Sequence, residues 1–188
     1  MADNRGMTHA TLGELEAGLS AIEGSPRDEG VLQLIVRRPA VGEREILEEG
    51  QLDVALGLVG DTWSTRGARS KHGPHPDMQI NVMNSRVIAA VARDKGRWAL
   101  AGDQLFVDLD LSAANLPPGT RLAVGSAIIE VTAQPHTGCG KFIGRFGVDA
   151  AKFVNSSVGR RLQLRGINAK VVQSGSVRVG DRVTKLPG

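Results

Sequence analysis

With 188 residues of which 41% are hydrophobic, the chain can bury one good core and falls in the size range of a single domain. Its single cysteine excludes an internal disulfide, and its richest apolar run, Val82 to Leu100, is broken by Arg86, Arg93, Asp94, Lys95 and Arg97, which excludes a membrane-spanning helix. The net charge of +3 is modest and no secretion signal opens the chain, so a reducing cytoplasm is the expected compartment.

The residues up to about His9 read as a frayed terminus. Thr11 and Glu14 then form a capping-box pattern around Leu12, Leu15, Leu19 and Ile22, which predicts one short amphipathic helix with its apolar stripe on the core. Gly24 to Gly30 is polar and turn-forming, so residues 1–30 are expected to be an N-terminal extension and 31–188 the main domain. From Val31 the pattern changes to short apolar runs typical of strands, first Val31 to Val36 and later the alternation Met78, Ile80, Val82. Between these runs, Arg66, Arg69, Lys71, His72 and His75 follow Gly60-Asp61-Thr62-Trp63 in a long polar loop, either solvated surface or one wall of an anion pocket. Ser85 offers an N-cap for a helix through Val87, Ile88 and Val91.

Farther along, Leu122 and Val124, then Gly125-Ser126, then Ile128 to Val131 predict a two-residue hairpin. A second hairpin is expected where Ile167 to Val172 runs through Ser174-Gly175-Ser176 into Val177 and Val179, ahead of a Gly180-Asp181 turn and Val183. Between the two, Asp149 is placed to cap a short helix through Val154, while Gly140, Gly144 and Gly147 predict a loop before it. Short strands, glycine turns and brief helices together predict a mainly β fold. Its expected form is a closed or nearly closed β-barrel with a few short peripheral helices, since closure removes exposed strand edges.

The segment His136 to Lys170 concentrates charge: Lys141, Arg145, Lys152, Arg160, Arg161, Arg165 and Lys170 face Asp149 alone, a net +6 against −3 for the remainder. Such a segment attracts phosphate, in nucleic acid or on a phosphorylated cofactor. With 3% aromatic residues and no tyrosine, the chain lacks the stacking platforms that single-stranded nucleic acid uses, which disfavours that partner. A non-catalytic phosphate- or nucleic-acid-binding module remains one reading of the segment.

Within it, Cys139 stands between Gly138 and Gly140, after Gln134-Pro135-His136-Thr137 and before Lys141. A backbone flanked by glycines can approach a ligand closely. Lys141, Arg145 and a protonated His136 would favour the thiolate, the form that attacks electrophiles and binds metals. His136 and Cys139 alone cannot build a tetrahedral zinc centre, which needs three or four protein ligands. No third residue orients them for cysteine hydrolysis either.

An ordered series of landmarks runs through the chain. It comprises Gly60-Asp61, His72-Gly73, the strand Gln79 to Asn84, Gly102-Asp103-Gln104-Leu105-Phe106, Leu116-Pro117-Pro118-Gly119-Thr120-Arg121-Leu122 with Gly125, Cys139, Arg165-Gly166-Ile167, Gly175 and Gly180-Asp181. Over roughly Val31 to Val183 this series resembles the MOSC family, the domain at the C-terminal end of molybdenum cofactor sulfurases, in a small stand-alone bacterial form. The resemblance implies a β-barrel. It also implies a cysteine that either carries sulfur for the molybdenum cofactor or ligates molybdenum in enzymes that reduce N-hydroxylated compounds. By position Cys139 takes the catalytic and molybdenum-ligand roles, and Arg69, Lys71, His72, His136, Thr137, Lys141 and Arg145 are the expected cofactor-binding residues.

The implied activity is that of a molybdenum-dependent oxidoreductase or a sulfur transferase, and the implied cofactor is molybdopterin-bound molybdenum. A small-molecule substrate and an electron-donor protein or cysteine desulfurase are the implied partners, with pyridoxal phosphate only on that desulfurase. Two departures stand out: Gly138 where relatives often have proline before the cysteine, and Asp108-Leu109 where a glycine is common.

Overall fold

The computed structural model describes residues 8–66 and 73–188, so Arg69, Lys71 and His72 lie outside the described residues, as does the side chain of Arg66. Strand β1 (Glu29–Arg37) is the axis of the fold, since it pairs antiparallel with β6 (Leu105–Asp108), β11 (Arg182–Lys185) and the short β2 (Glu45–Leu47). From β11 the ladder continues through β7 (Arg121–Val124), β8 (Ala127–Val131), β9 (Ile167–Gln173) and β5 (Ile80–Asn84) back to β6. Seven strands therefore close on themselves, as expected, with first and last strands joined at Gly30↔Val183. Only β5 and β6 run parallel. Their crossover is helix α4 (Ser85–Ala92) and a 3-10 segment at Lys95–Ala101, because parallel neighbours cannot be joined by a tight turn.

Two apolar cores lie on the two faces of this sheet, and strand alternation sorts residues between them. Ile80, Val82, Leu105 and Val107 point into the barrel with Ile129, Ala169 and Val183. Met83 and Phe106 point outward beneath Val87, Ile88, Phe142, Phe146 and Phe153 of the helices. Along β1, Leu32 and Ile35 face inward whereas Leu34 and Val36 face outward. The change of phase follows from a bulge, since the register with β6 shifts between Leu32 and Leu34. Phe106 is fully buried, and cutting such a ring back to alanine costs about 3–5 kcal/mol.

The capping box forms as read, with the Glu14 carboxylate accepting the Thr11 N–H at 2.8 Å. Gly18, however, divides the expected helix into α1 (Leu12–Ala17) and α2 (Leu19–Glu23). Met78 belongs to a 3-10 turn at Pro76–Met78 rather than to β5. The N-cap of α4 is Asn84 rather than Ser85, because its Oδ1 accepts from the N–H groups of Arg86 and Val87 at 2.7 and 3.4 Å. The β7–β8 hairpin turns at Gly125-Ser126 as expected.

The second hairpin does not form. Strand β10 (Gly175–Arg178) leaves β9 and pairs with β3 (Glu49–Asp53), which also pairs with β4 (Gly57–Leu58) in a separate three-stranded sheet. The stretch after Cys139 is not a loop but helix α5 (Gly140–Phe146), anchored by Phe142 and Phe146 in the outer core. Helices α6 (Val148–Asn155) and α7 (Ser157–Arg161) follow. Gly147, not Asp149, is the N-cap of α6, and the Asp149 carboxylate instead accepts the Leu12 N–H of α1 at 3.1 Å. No helix among the described residues is long and apolar enough to cross a membrane.

Candidate functional site

Two buried arginine–aspartate pairs occupy one end of the barrel. Arg38, one residue past β1, donates from Nε and Nη2 to the two oxygens of Asp61, both at 2.8 Å, and from Nη1 to Asn81 Oδ1 and the Gly102 carbonyl. Burial alone would push the Asp61 carboxyl up, but the hydrogen bonds and charge of Arg38 outweigh it, and the group is held below its ordinary range. Arg165, shortly before β9, places Nη1 at 3.0 and 2.7 Å from the oxygens of Asp103, and Nη2 donates to the Ala101 carbonyl at 3.1 Å. Its guanidinium also stacks 4.9 Å from the Phe142 ring centre, which fixes α5 against the pair.

Cys139 is the N-cap of α5 and is exposed. Backbone N–H groups of Phe142 and Lys141 at the open first turn favour the charged sulfur, partial burial opposes them, and the Arg165 charge adds to the lowering. The net effect holds the thiol below its usual range. No amide reaches hydrogen-bond geometry on the sulfur, so their contribution is the field of the helix end rather than a cap bond. The activating groups are thus backbone amides and Arg165, not the Lys141, Arg145 and protonated His136 expected from sequence.

His136 is neutral in the fold. Burial depresses its pKa to about 4, the nearby Asp103 charge pulls it upward, and Arg165 and Arg38 push it further down. Its Nδ1 stands 3.4 Å from Asp103 without a hydrogen bond.

Arg38, Asn81, Gly102, His136, Cys139, Lys141, Arg145 and Arg165 line a cavity of about 750 Å³. It gathers four of the expected site residues: Cys139, His136, Lys141 and Arg145. Thr137 lies outside it and lines a neighbouring cavity. Arg145 is partly committed, since its Nη1 donates to the Leu100 carbonyl at 2.6 Å. The described ends of the polar loop reach this region, because Trp63, Gly73 and His75 border a smaller cavity that shares Arg38 and Asn81. The basic segment is not one exposed stripe: Lys152, Arg161 and Lys170 pair with Asp149, Glu23 and Glu130, while Arg165 is buried.

Sequence reasoning assigned no role to Arg38, Asp61, Asp103 or Asn155. The aspartates stood in Gly60-Asp61 and Gly102-Asp103, the best available signal, whereas nothing local marks Asn155. Its side chain accepts the Gly138 N–H at 3.0 Å and donates to the Gly138 carbonyl at 3.1 Å, fixing the residue before the thiol from both sides. Proline at 138 has no N–H to give, so the glycine found there is what lets Asn155 hold this backbone.

A mixed seven-stranded barrel with an exposed thiol at a helix start, beside buried arginine–aspartate pairs, defines a MOSC-type barrel protein. Residues 69–184 match the family model for the MOSC domain, more than half of the chain, and the chain belongs to that family. Among solved structures it is similar to the YuaD protein from Bacillus subtilis, with 16% identity, a TM-score of 0.56, and 82% of this chain and 94% of that one covered. It is likewise similar to YiiM from Escherichia coli, with 20% identity, a TM-score of 0.54, and 84% and 70% covered. For YiiM from Geobacillus stearothermophilus the identity is 14%, the TM-score 0.52, and the coverage 84% and 73%. These likenesses show a shared fold. No curated protein matches the chain.

Proposed function

We propose that the chain binds the molybdenum cofactor in the 750 Å³ cavity, with Cys139 as molybdenum ligand, and reduces N-hydroxylated small molecules. The observation that carries this reading is a thiolate-favouring sulfur at the rim of a cavity lined by five cationic side chains, Arg38, Arg44, Lys141, Arg145 and Arg165. The donor chemistry fits the cofactor: molybdenum suits a soft thiolate, and a phosphate suits guanidinium and ammonium donors. Among the described residues no three His, Cys, Asp or Glu side chains converge, and Cys139 is the side chain that would ligate the metal.

When bound, the cofactor supplies two-electron oxidation and reduction at molybdenum. The chain's residues do the rest. Cys139 presents a sulfur whose ionisation the start of α5 and Arg165 favour, Lys141 and the uncommitted donors of Arg145 would hold phosphate, and Arg165 fixes α5 through Phe142. His136, neutral near pH 7, leaves the cavity's positive charge to the arginines and Lys141. The exposed position of the sulfur gives a small substrate access, with electrons delivered by a separate donor protein.

Protein made in a host that synthesises the cofactor is expected to carry molybdenum and pterin, and Cys139→Ser to lose the molybdenum. Wild-type protein from that host without either component would overturn the reading. The exposure of Cys139 equally suits a persulfide carrier. Metal-free protein that gains one sulfur on Cys139 after incubation with a cysteine desulfurase and cysteine, as read by intact mass, would favour that role instead.

A further inference from the structure

A second cavity, of about 390 Å³, lies on the other side of His136 and Arg165, the two residues it shares with the Cys139 cavity. Pro118, Pro135, Val154 and Ile167 give it apolar walls, and Arg160 and Gln163 give it polar ones. Cys139, Lys141 and Arg145 do not line it.

Three residues that line this space each carry a buried polar atom without a hydrogen-bond partner: Arg165 at Nε, Gln163 at Oε1 and His136 at Nδ1. Arg165 is 6% exposed, and its two Nη nitrogens are spent on Asp103 and the Ala101 carbonyl. A buried donor or acceptor left unmet costs about 1–3 kcal/mol, so native folds keep few of them. Gln163 is further held at φ +50, where a side chain is disfavoured. Gly166, at φ +104, closes the same turn, and a Cβ there would stand 2.3 Å from the Val82 carbonyl oxygen, so the turn is seated rigidly against β5. Arg160 is exposed and has no carboxylate partner among the described residues. The cavity wall thus carries one cation, the unmet donor of Arg165, the unmet acceptor of Gln163 and the unpartnered Nδ1 of the neutral His136, beside apolar side chains.

We propose that this cavity is a second binding site, which takes a small carboxylic acid bearing a hydrogen-bond donor next to its carboxylate, such as an acylamino or α-hydroxy acid. The carboxylate accepts from Arg165 Nε and Arg160, the adjoining N–H or O–H donates to Gln163 Oε1, and the carbon body rests on the prolines, Val154 and Ile167. The proposal does not depend on what Cys139 does, because Arg165 is the only recognising group shared with the Cys139 cavity, and Cys139, Lys141 and Arg145 do not line this one.

N-acetylglycine and glycolate, titrated separately into the full chain at millimolar concentration with acetate and acetamide as controls, test it by amide NMR. Saturable shifts at Gly159, Gly166 and Asn168 are expected for both acids, weaker binding for acetate and none for acetamide. Arg160→Ala should weaken binding about tenfold, a factor equal to about 1.4 kcal/mol. Gln163→Gly, which relieves the positive φ and so should not unfold the chain, should erase the preference for N-acetylglycine over acetate. Absence of saturable shifts with either acid would overturn the proposal, as would unaltered affinity in both variants or shifts confined to residues around Cys139.

Discussion

Arg38 and Arg165 stand at the same end of the barrel, each against an aspartate whose side chain is fully buried, yet only Arg38 has all three guanidinium nitrogens engaged. Its Nε and Nη2 grip Asp61 while Nη1 ties in Asn81 and Gly102. In Arg165 the Nε is left over. A completed fork works as a clasp, holding the end of β1 to the turn at Asp61. An incomplete one, bordering two cavities, keeps a donor for something that is not protein.

The sharpest way to break this contrast is to cut the clasp. Asp61→Ala strands the buried Arg38 charge and is expected to lower stability by about 3–5 kcal/mol, read from the urea midpoint. A loss below about 1 kcal/mol would mean that the pair is not the clasp described.

Next in size is the pH response of His136, which lies in the wall beside Arg165. Its imidazole titrates near 6.5 when unfolded and about 4 when folded, so between those values the unfolded chain binds a proton that the folded chain refuses. Stability should therefore fall as pH drops from about 6.5 to about 4, by up to about 3 kcal/mol, and His136→Gln should flatten that slope. An identical slope in wild type and variant would place the effect on another group. The smallest expected effect is at the thiol's support. Asn155→Ala removes two hydrogen bonds to Gly138 and should cost about 1–2 kcal/mol. It should also move the pH profile of Cys139 alkylation by iodoacetamide toward that of an ordinary thiol. An unchanged profile would show that Asn155 does not position the sulfur.

What could be read from sequence was local. The β7–β8 hairpin is set by a two-residue turn between alternating strands, and the α1 capping box by residues three apart, so both were legible. Helix α5 was not, because Gly140 and Gly144 speak against a helix, and only the burial of Phe142 and Phe146 in the outer core overrides them. Strand β10 was misplaced for a similar reason. Its partner β3 lies more than a hundred residues upstream, with the polar and exposed faces of Glu49 and Gln51 giving no strand signal. At the site, the ordered landmarks led to Cys139 and to the aspartates without their roles. The Asn155–Gly138 contact joins a helix end to a loop 17 residues away, and no spacing rule encodes that.

The pairing of β1 with β11 sets a condition on how the molecule is made. Gly30 meets Val183 across the seam, so a chain emerging from the ribosome holds β1 unpaired on that edge until β11 has been released. Such distant pairing makes for slow folding. It leaves a nascent edge exposed to neighbouring polypeptides throughout synthesis, and a premature stop before Arg182 would make that exposure permanent.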